Sequence, residues 1–198
     1  MHHRVKNNLQ TIVSLLRLQS RRTDSIEAKK VLNESINRIM SIATTHELLS
    51  KKKEDIINLK EVINSIVNNL MYSFSSQQYI QVKVDIDEAI DLDFELAVPV
   101  ALIVNELVQN SLEHAFPIDG SQIEKSTITV RATEEENFIQ LRISDNGKGF
   151  KHNESANMNL GLQIVTSFVK SKLNGLIVFE SNNPGTLVRI NFINTTNE

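Results

Sequence analysis

Four short segments constrain the fold of this chain more than any other feature: Asn105-Glu-Leu-Val-Gln-Asn110, Asp145-Asn-Gly-Lys-Gly149, Asn159-Leu-Gly-Leu162 and Gly185-Thr186. Each asks for a different local structure. Glu106 and Asn110 stand one helical turn apart, so a helix brings their carboxylate and amide to one face. Asp145 ends an alternating apolar run and meets two glycines, Gly147 and Gly149, where backbone without Cβ atoms can approach a flat ligand. Leu160-Gly161-Leu162 opens a helix, whose first amides can receive phosphate oxygens. A chain that gathers all four must interleave helices with strands.

The same segments suggest a chemistry. Asp145 accepts a hydrogen bond from an exocyclic amine and so prefers adenine to guanine. Asn110 offers an amide oxygen, a hard ligand suited to Mg²⁺ that takes its other ligands from phosphates and water. Glu106 would orient a water or act as a general base. Taken singly, each segment has an ordinary explanation. Glu-x-x-x-Asn spacing arises by chance, Asp-Asn-Gly-Lys-Gly is a good turn, and Gly185-Thr186 suits a hairpin. Their order and spacing together describe an ATP pocket.

Upstream, Val5, Leu9, Ile12 and Leu16 follow helical spacing without Gly or Pro. After the polar break Arg22-Thr-Asp-Ser25, the pattern resumes with Ala28, Leu32, Ile36, Ile39 and Ala43. Two such helices form an antiparallel hairpin whose single apolar stripe is buried fully against another hairpin, which predicts a homodimer. Packing on the chain's own C-terminal part is the alternative. The remainder predicts a helix near 59–74, a strand near 79–86, a helix near 97–115, and strands near 126–134 and 137–144. A polar loop at 151–158, a helix near 160–173 and strands near 176–181 and 186–193 follow. This is an α+β organisation: residues 1–56 as a helical hairpin, then residues 57–198 as an α/β sandwich with helices on one face of a mixed sheet. The 151–158 loop reads as a lid able to close over phosphates.

With 21 basic and 24 acidic residues interspersed, a net charge of −3 gives no nucleic-acid footprint. No cysteine occurs, which excludes thiolate metal sites and disulfides. No apolar run reaches the roughly 18 residues of a membrane span. The start at Met1-His2-His3 lacks an apolar signal region, and its abruptness leads us to expect a sensor region upstream.

On these residues a family resemblance rests. The four segments resemble the N, G1, G2 and G3 boxes of the Bergerat-type (GHKL) ATP-binding fold shared by histidine kinases, MutL and type II topoisomerases, over roughly residues 58–193. The resemblance implies ATP and Mg²⁺ as cofactors, with Mg²⁺ on Asn110 and the adenine amine on Asp145. It also implies contacts to nucleotide from Gly147, Gly149, Leu160, Gly161, Leu162 and Thr186. His114, in Leu112-Glu-His-Ala-Phe-Pro117, would lie near the phosphates, where other histidine kinases carry a lysine. At the front, His2-His3-Arg-Val-Lys-Asn-Asn-Leu-Gln10, continued by Ser14-Leu-Leu-Arg-Leu-Gln19, is similar to the H box of the HisKA_2 sensor histidine kinases, close kin of the HWE kinases.

That resemblance implies autophosphorylation from ATP and transfer to an aspartate in the receiver domain of a cognate response regulator, in the cytoplasm. A neutral imidazole is a sound phosphoryl carrier. His3, which precedes Arg4, is the expected acceptor and His2 the alternative; terminal histidines also suit a purification tag, but the match continues from Arg4 to Gln19. His46, in Thr44-Thr-His-Glu-Leu-Leu49, reads as a packing histidine. Two departures stand out. The Asn159-Leu-Gly-Leu segment has one glycine where many kinases have two, and His3 sits where an uncapped first turn frays. Two other readings remain: an ATPase or anti-sigma-like serine kinase using Glu106 as base, and a binding module without turnover.

Overall fold

The computed structural model describes residues 2–29, 31–33, 35–36, 39–40, 43, 56–74, 80–116, 126–149, 160–181 and 185–196. The chain divides into two compact units, Met1–Glu54 and Asp55–Glu198.

In the first unit, α1 spans His2–Arg22 and ends in two arginines, which complement the negative end of the helix dipole. The backbone leaves the helix at residues 23–25 and is helical again at 26–29. The Ser25 hydroxyl accepts from the Ala28 amide at 3.2 Å, an N-cap that starts the second helical segment. Ser20 Oγ donates to Asn33 Oδ1 at 3.3 Å across the break. The buried side chains here include Val13, Ile36 and Ala43, whereas Ile12, Leu15, Leu18, Val31 and Met40 are exposed. Of the expected stripe on α1, Leu9 and Leu16 are half-buried and Ile12 is exposed, while Val13 beside it is buried. His46 lies outside the described residues.

The second unit opens with β1 (Ile56–Asn58) and α2 (Leu59–Ser73), followed by β2 (Gln81–Ile86), β3 (Asp91–Asp93) and α3 (Phe94–His114). Next come β4 (Thr127–Glu135), β5 (Phe138–Asp145), α4 (Leu160–Ser171), β6 (Leu176–Ser181) and β7 (Thr186–Ile193). Five strands form one mixed sheet in the order β2-β4-β5-β7-β6; β2 runs parallel to β4 and the other pairs are antiparallel. The β4–β5 turn uses Glu136 and Asn137, both at positive φ, the signature of a two-residue hairpin loop matched to strand twist. Ile128, Val130, Ala132, Ile139, Leu141, Ile143, Val188, Ile190 and Phe192 line the covered face of the sheet. They pack with the buried rows of α2 and α3. Along α3 almost every residue from Leu96 to Val108 is buried, so this is the central helix of the unit.

Two features were not expected. β1 and β3, three residues each, pair antiparallel beside the main sheet. α3 begins at Phe94, earlier than periodicity indicates, because the Asp93 carboxylate caps it by accepting from the Leu96 amide at 2.8 Å. Pro99 is accommodated inside that helix.

The residues after β7 close the unit. Asn194, 1% exposed, donates to the Asp91 carbonyl at 3.0 Å and to Glu134 Oε1 at 2.7 Å, and accepts from the Thr196 amide at 3.1 Å. Thr196 Oγ1 accepts from the Asp93 amide at 2.8 Å. The strand that leads into α3 is thus held from the far end of the sequence. No helix among the described residues is long and apolar enough to cross a membrane.

Candidate nucleotide site

Asp145 ends β5 and lies between two neighbours in the sheet, opposite Ile128 of β4 and Thr186 of β7. Its carboxylate is fixed at both oxygens. Oδ1 accepts from the Gly147 amide at 3.0 Å, and Oδ2 accepts from Ser111 Oγ at 2.9 Å. Asn146 extends the β4 pairing: its amide donates to the Thr127 carbonyl at 3.2 Å, and its Oδ1 accepts from the Thr127 amide at 2.7 Å.

The last turn of α3 packs on the loop that follows. Lys148 donates its amide to the Ala115 carbonyl at 2.9 Å, and a Cβ on Gly147 would stand 2.4 Å from that carbonyl oxygen. The glycine is required by this helix contact, a reason distinct from the ligand approach expected of it. Gly149 has φ +66°. Gly185 has φ +104°, and a Cβ there would fall 2.2 Å from the Asp145 carbonyl oxygen. Asp145 is therefore enclosed by β4, by β7 and by the end of α3.

On α3, Glu106 is 6% exposed, and Asn110, one turn on, is partly buried. Asn110 Nδ2 is buried and has no hydrogen-bond partner among the described residues. A buried amide nitrogen in that condition costs roughly 1–3 kcal/mol unless something accepts from it. His114 is exposed, with Nε2 3.7 Å from Glu113 Oε2. Glu113 in turn accepts from Gln109 Nε2 at 2.8 Å. Gly161 is buried and Leu162 half-buried in the first turn of α4, which Leu160 starts.

The structure thus brings Glu106, Asn110, Asp145, Gly147 and Thr186 to α3 and the ends of β5 and β7. His3 lies in the first turn of α1, in the other unit. Asn159 and the 151–158 loop lie outside the described residues. Sequence reading missed Ser111, Ala115 and Asn146. A signal for Ser111 existed: it sits four residues after Leu107 and three after Val108, on the apolar line of a buried helix, where a hydroxyl must find a partner.

A sandwich of this topology, with a helix-borne carboxylate and amide beside an aspartate at a strand end, defines an ATP-binding domain of the GHKL class. Residues 95–196 match the family model described as histidine kinase-, DNA gyrase B-, and HSP90-like ATPase, and residues 1–74 match the histidine kinase model HisKA_2. The chain belongs to the histidine kinase family and carries the paired domains of a sensor histidine kinase.

Its relatives include the sensor histidine kinase PdtaS of Mycobacterium tuberculosis, 39% identical over 177 residues that cover 88% of this chain and 34% of PdtaS. Blue-light-activated histidine kinase 2 of Erythrobacter litoralis is 28% identical over 202 residues, covering 96% of this chain and 55% of that protein. The chain thus spans about a third and about half of these relatives' lengths. Among solved structures, the histidine kinase domain of the E. litoralis EL346 blue-light activated kinase superposes with a TM-score of 0.67 at 25% identity, covering 98% of this chain and 89% of that one.

Proposed function

We propose that this chain is an autokinase core: it transfers the γ-phosphoryl group of ATP to His3, and the phosphoryl group then passes to an aspartate on the receiver domain of a response regulator. The observation that carries the nucleotide half of this reading is the fixed Asp145 carboxylate next to the α3 turn that bears Asn110. The acceptor half rests on His3 within the segment that matches the histidine kinase family.

In this reading Asp145 receives the adenine amine, and Thr186, its neighbour across the sheet, borders the same edge. The unpartnered Asn110 Nδ2 fits an acceptor oxygen such as a phosphate provides, and the other atom of that amide fits Mg²⁺. Bound there, Mg²⁺ supplies neutralisation of phosphate charge. Among the described residues no cluster of His, Asp and Glu could hold a metal alone, consistent with an ion completed by phosphates and water. In this reading the first turn of α4, with Leu160, Gly161 and Leu162, borders the phosphates. In the transfer, a lone pair on one ring nitrogen of neutral His3 forms the P–N bond. The bond from γ-phosphorus to the bridging oxygen breaks, and ADP leaves with that electron pair. Positioning and charge neutralisation supply most of what such a transfer needs.

The core would act as a homodimer through the exposed apolar row of its first unit, in the cytoplasm, without nucleic acid as a partner. A second reading is favoured by one observation. Glu106 is a buried carboxylate one turn from Asn110, as a general base for hydrolysis or serine phosphorylation would be. Incubation with γ-labelled ATP and Mg²⁺ separates the two. Acid-labile, alkali-stable label that disappears in both His3→Gln and Asn110→Asp is expected. Label that persists in His3→Gln moves the acceptor elsewhere and favours the Glu106 reading.

A further inference from the structure

Serines inside helices commonly return their hydroxyl to the carbonyl four residues back. Ser14, Ser35, Ser73 and Ser171 each do so here, at 2.7–3.0 Å. Ser111 does not follow them. Its hydroxyl crosses 34 positions of sequence to Asp145 Oδ2 at 2.9 Å, while the residue itself is 9% exposed. The Gly147 amide takes the other oxygen at 3.0 Å. A carboxylate on a single bond to its Cβ is a two-fold rotor; with a donor on each oxygen its plane is set.

Resting on the reading of Asp145 as the adenine acceptor, we infer that Ser111 is a positioning residue that sets base specificity. By committing its proton to Oδ2, it holds the carboxylate in the one orientation that meets an exocyclic amine. It also leaves only acceptor lone pairs of its own beside Asp145. A base that carries a carbonyl in place of the amine then faces acceptors alone, and a buried polar group left unpaired is what makes such discrimination large. Without the hydroxyl the carboxylate turns about its bond and the amine loses its aligned partner. A carbonyl-bearing base had no such partner to lose.

The test measures binding of Mg²⁺-ATP and Mg²⁺-ITP, identical in sugar and phosphates, to the whole chain and to Ser111→Ala, Ser111→Thr and Asp145→Asn. Ser111→Ala is expected to weaken ATP about tenfold and leave ITP within about twofold, so that the ATP:ITP preference falls. Ser111→Thr, which keeps the hydroxyl, is expected to retain most of the preference. An equal loss for both nucleotides in Ser111→Ala would show a merely structural role and overturn the inference. So would an unchanged preference in Ser111→Ala alongside its loss in Asp145→Asn. If Asp145→Asn itself keeps the preference, the reading of Asp145 fails, and this inference with it.

Discussion

Gly147 and Gly185 show how little room surrounds Asp145. A methyl group on Gly147 meets the Ala115 carbonyl and Cβ, both immobile parts of the helix end, so the loop or the helix must shift. Gly147→Ala is expected to lower stability by about 1–3 kcal/mol, visible as a reduced urea midpoint, and to weaken ATP binding by displacing the amide that holds Asp145. Gly185→Ala combines an unfavourable positive φ with a backbone clash, and should cost at least as much. Part of this was legible beforehand. Asp145 and the glycines stand out in the sequence because few other residues suit a strand end that turns so sharply. What each glycine touches was not, since the contact with Ala115 joins segments about thirty residues apart and leaves no local trace. Ser111 left a partial trace: its place on the apolar line of α3 asks for a partner but does not say which, since Asp145 stands 34 positions away.

At the scale of elements, α3 decides the geometry of the site. Its first turn is held by the Asp93 cap, and its later turns carry Glu106, Asn110 and Ser111. Asp93→Ala removes the cap and is expected to cost about 1 kcal/mol in denaturant unfolding, while leaving the ATP:ITP preference intact, because Ser111 lies five turns further along. A changed preference would mean that fraying reaches the far end. The long helices and the strands of the main sheet were readable from periodicity, since each repeats its pattern over several turns or alternations. β1 and β3 were not, as three residues hold too little alternation to separate a strand from a loop. Their pairing depends on each other rather than on their own composition. α3 was placed late because the apolar period becomes clear only at Leu96, whereas its true start is set by a polar side chain.

For the whole molecule, the first unit leaves Ile12, Leu15 and Leu18 exposed at three-residue spacing along one side of α1. Leu15→Glu is expected to convert the proposed dimer to a monomer in sedimentation velocity runs, with ATP binding by the second unit preserved. A persistent dimer would place the contact elsewhere. The second unit has its own feature of scale in the pair Asn194 and Thr196. They hold Asp91 and Asp93 across 103 positions of sequence. A ribosome adds roughly 5–20 residues per second, so the strand that feeds α3 waits about 5–20 s after its own synthesis for the residues that fasten it. The front of α3 is made early and secured late, and during that interval the nascent domain depends on whatever else shields its unfinished edge.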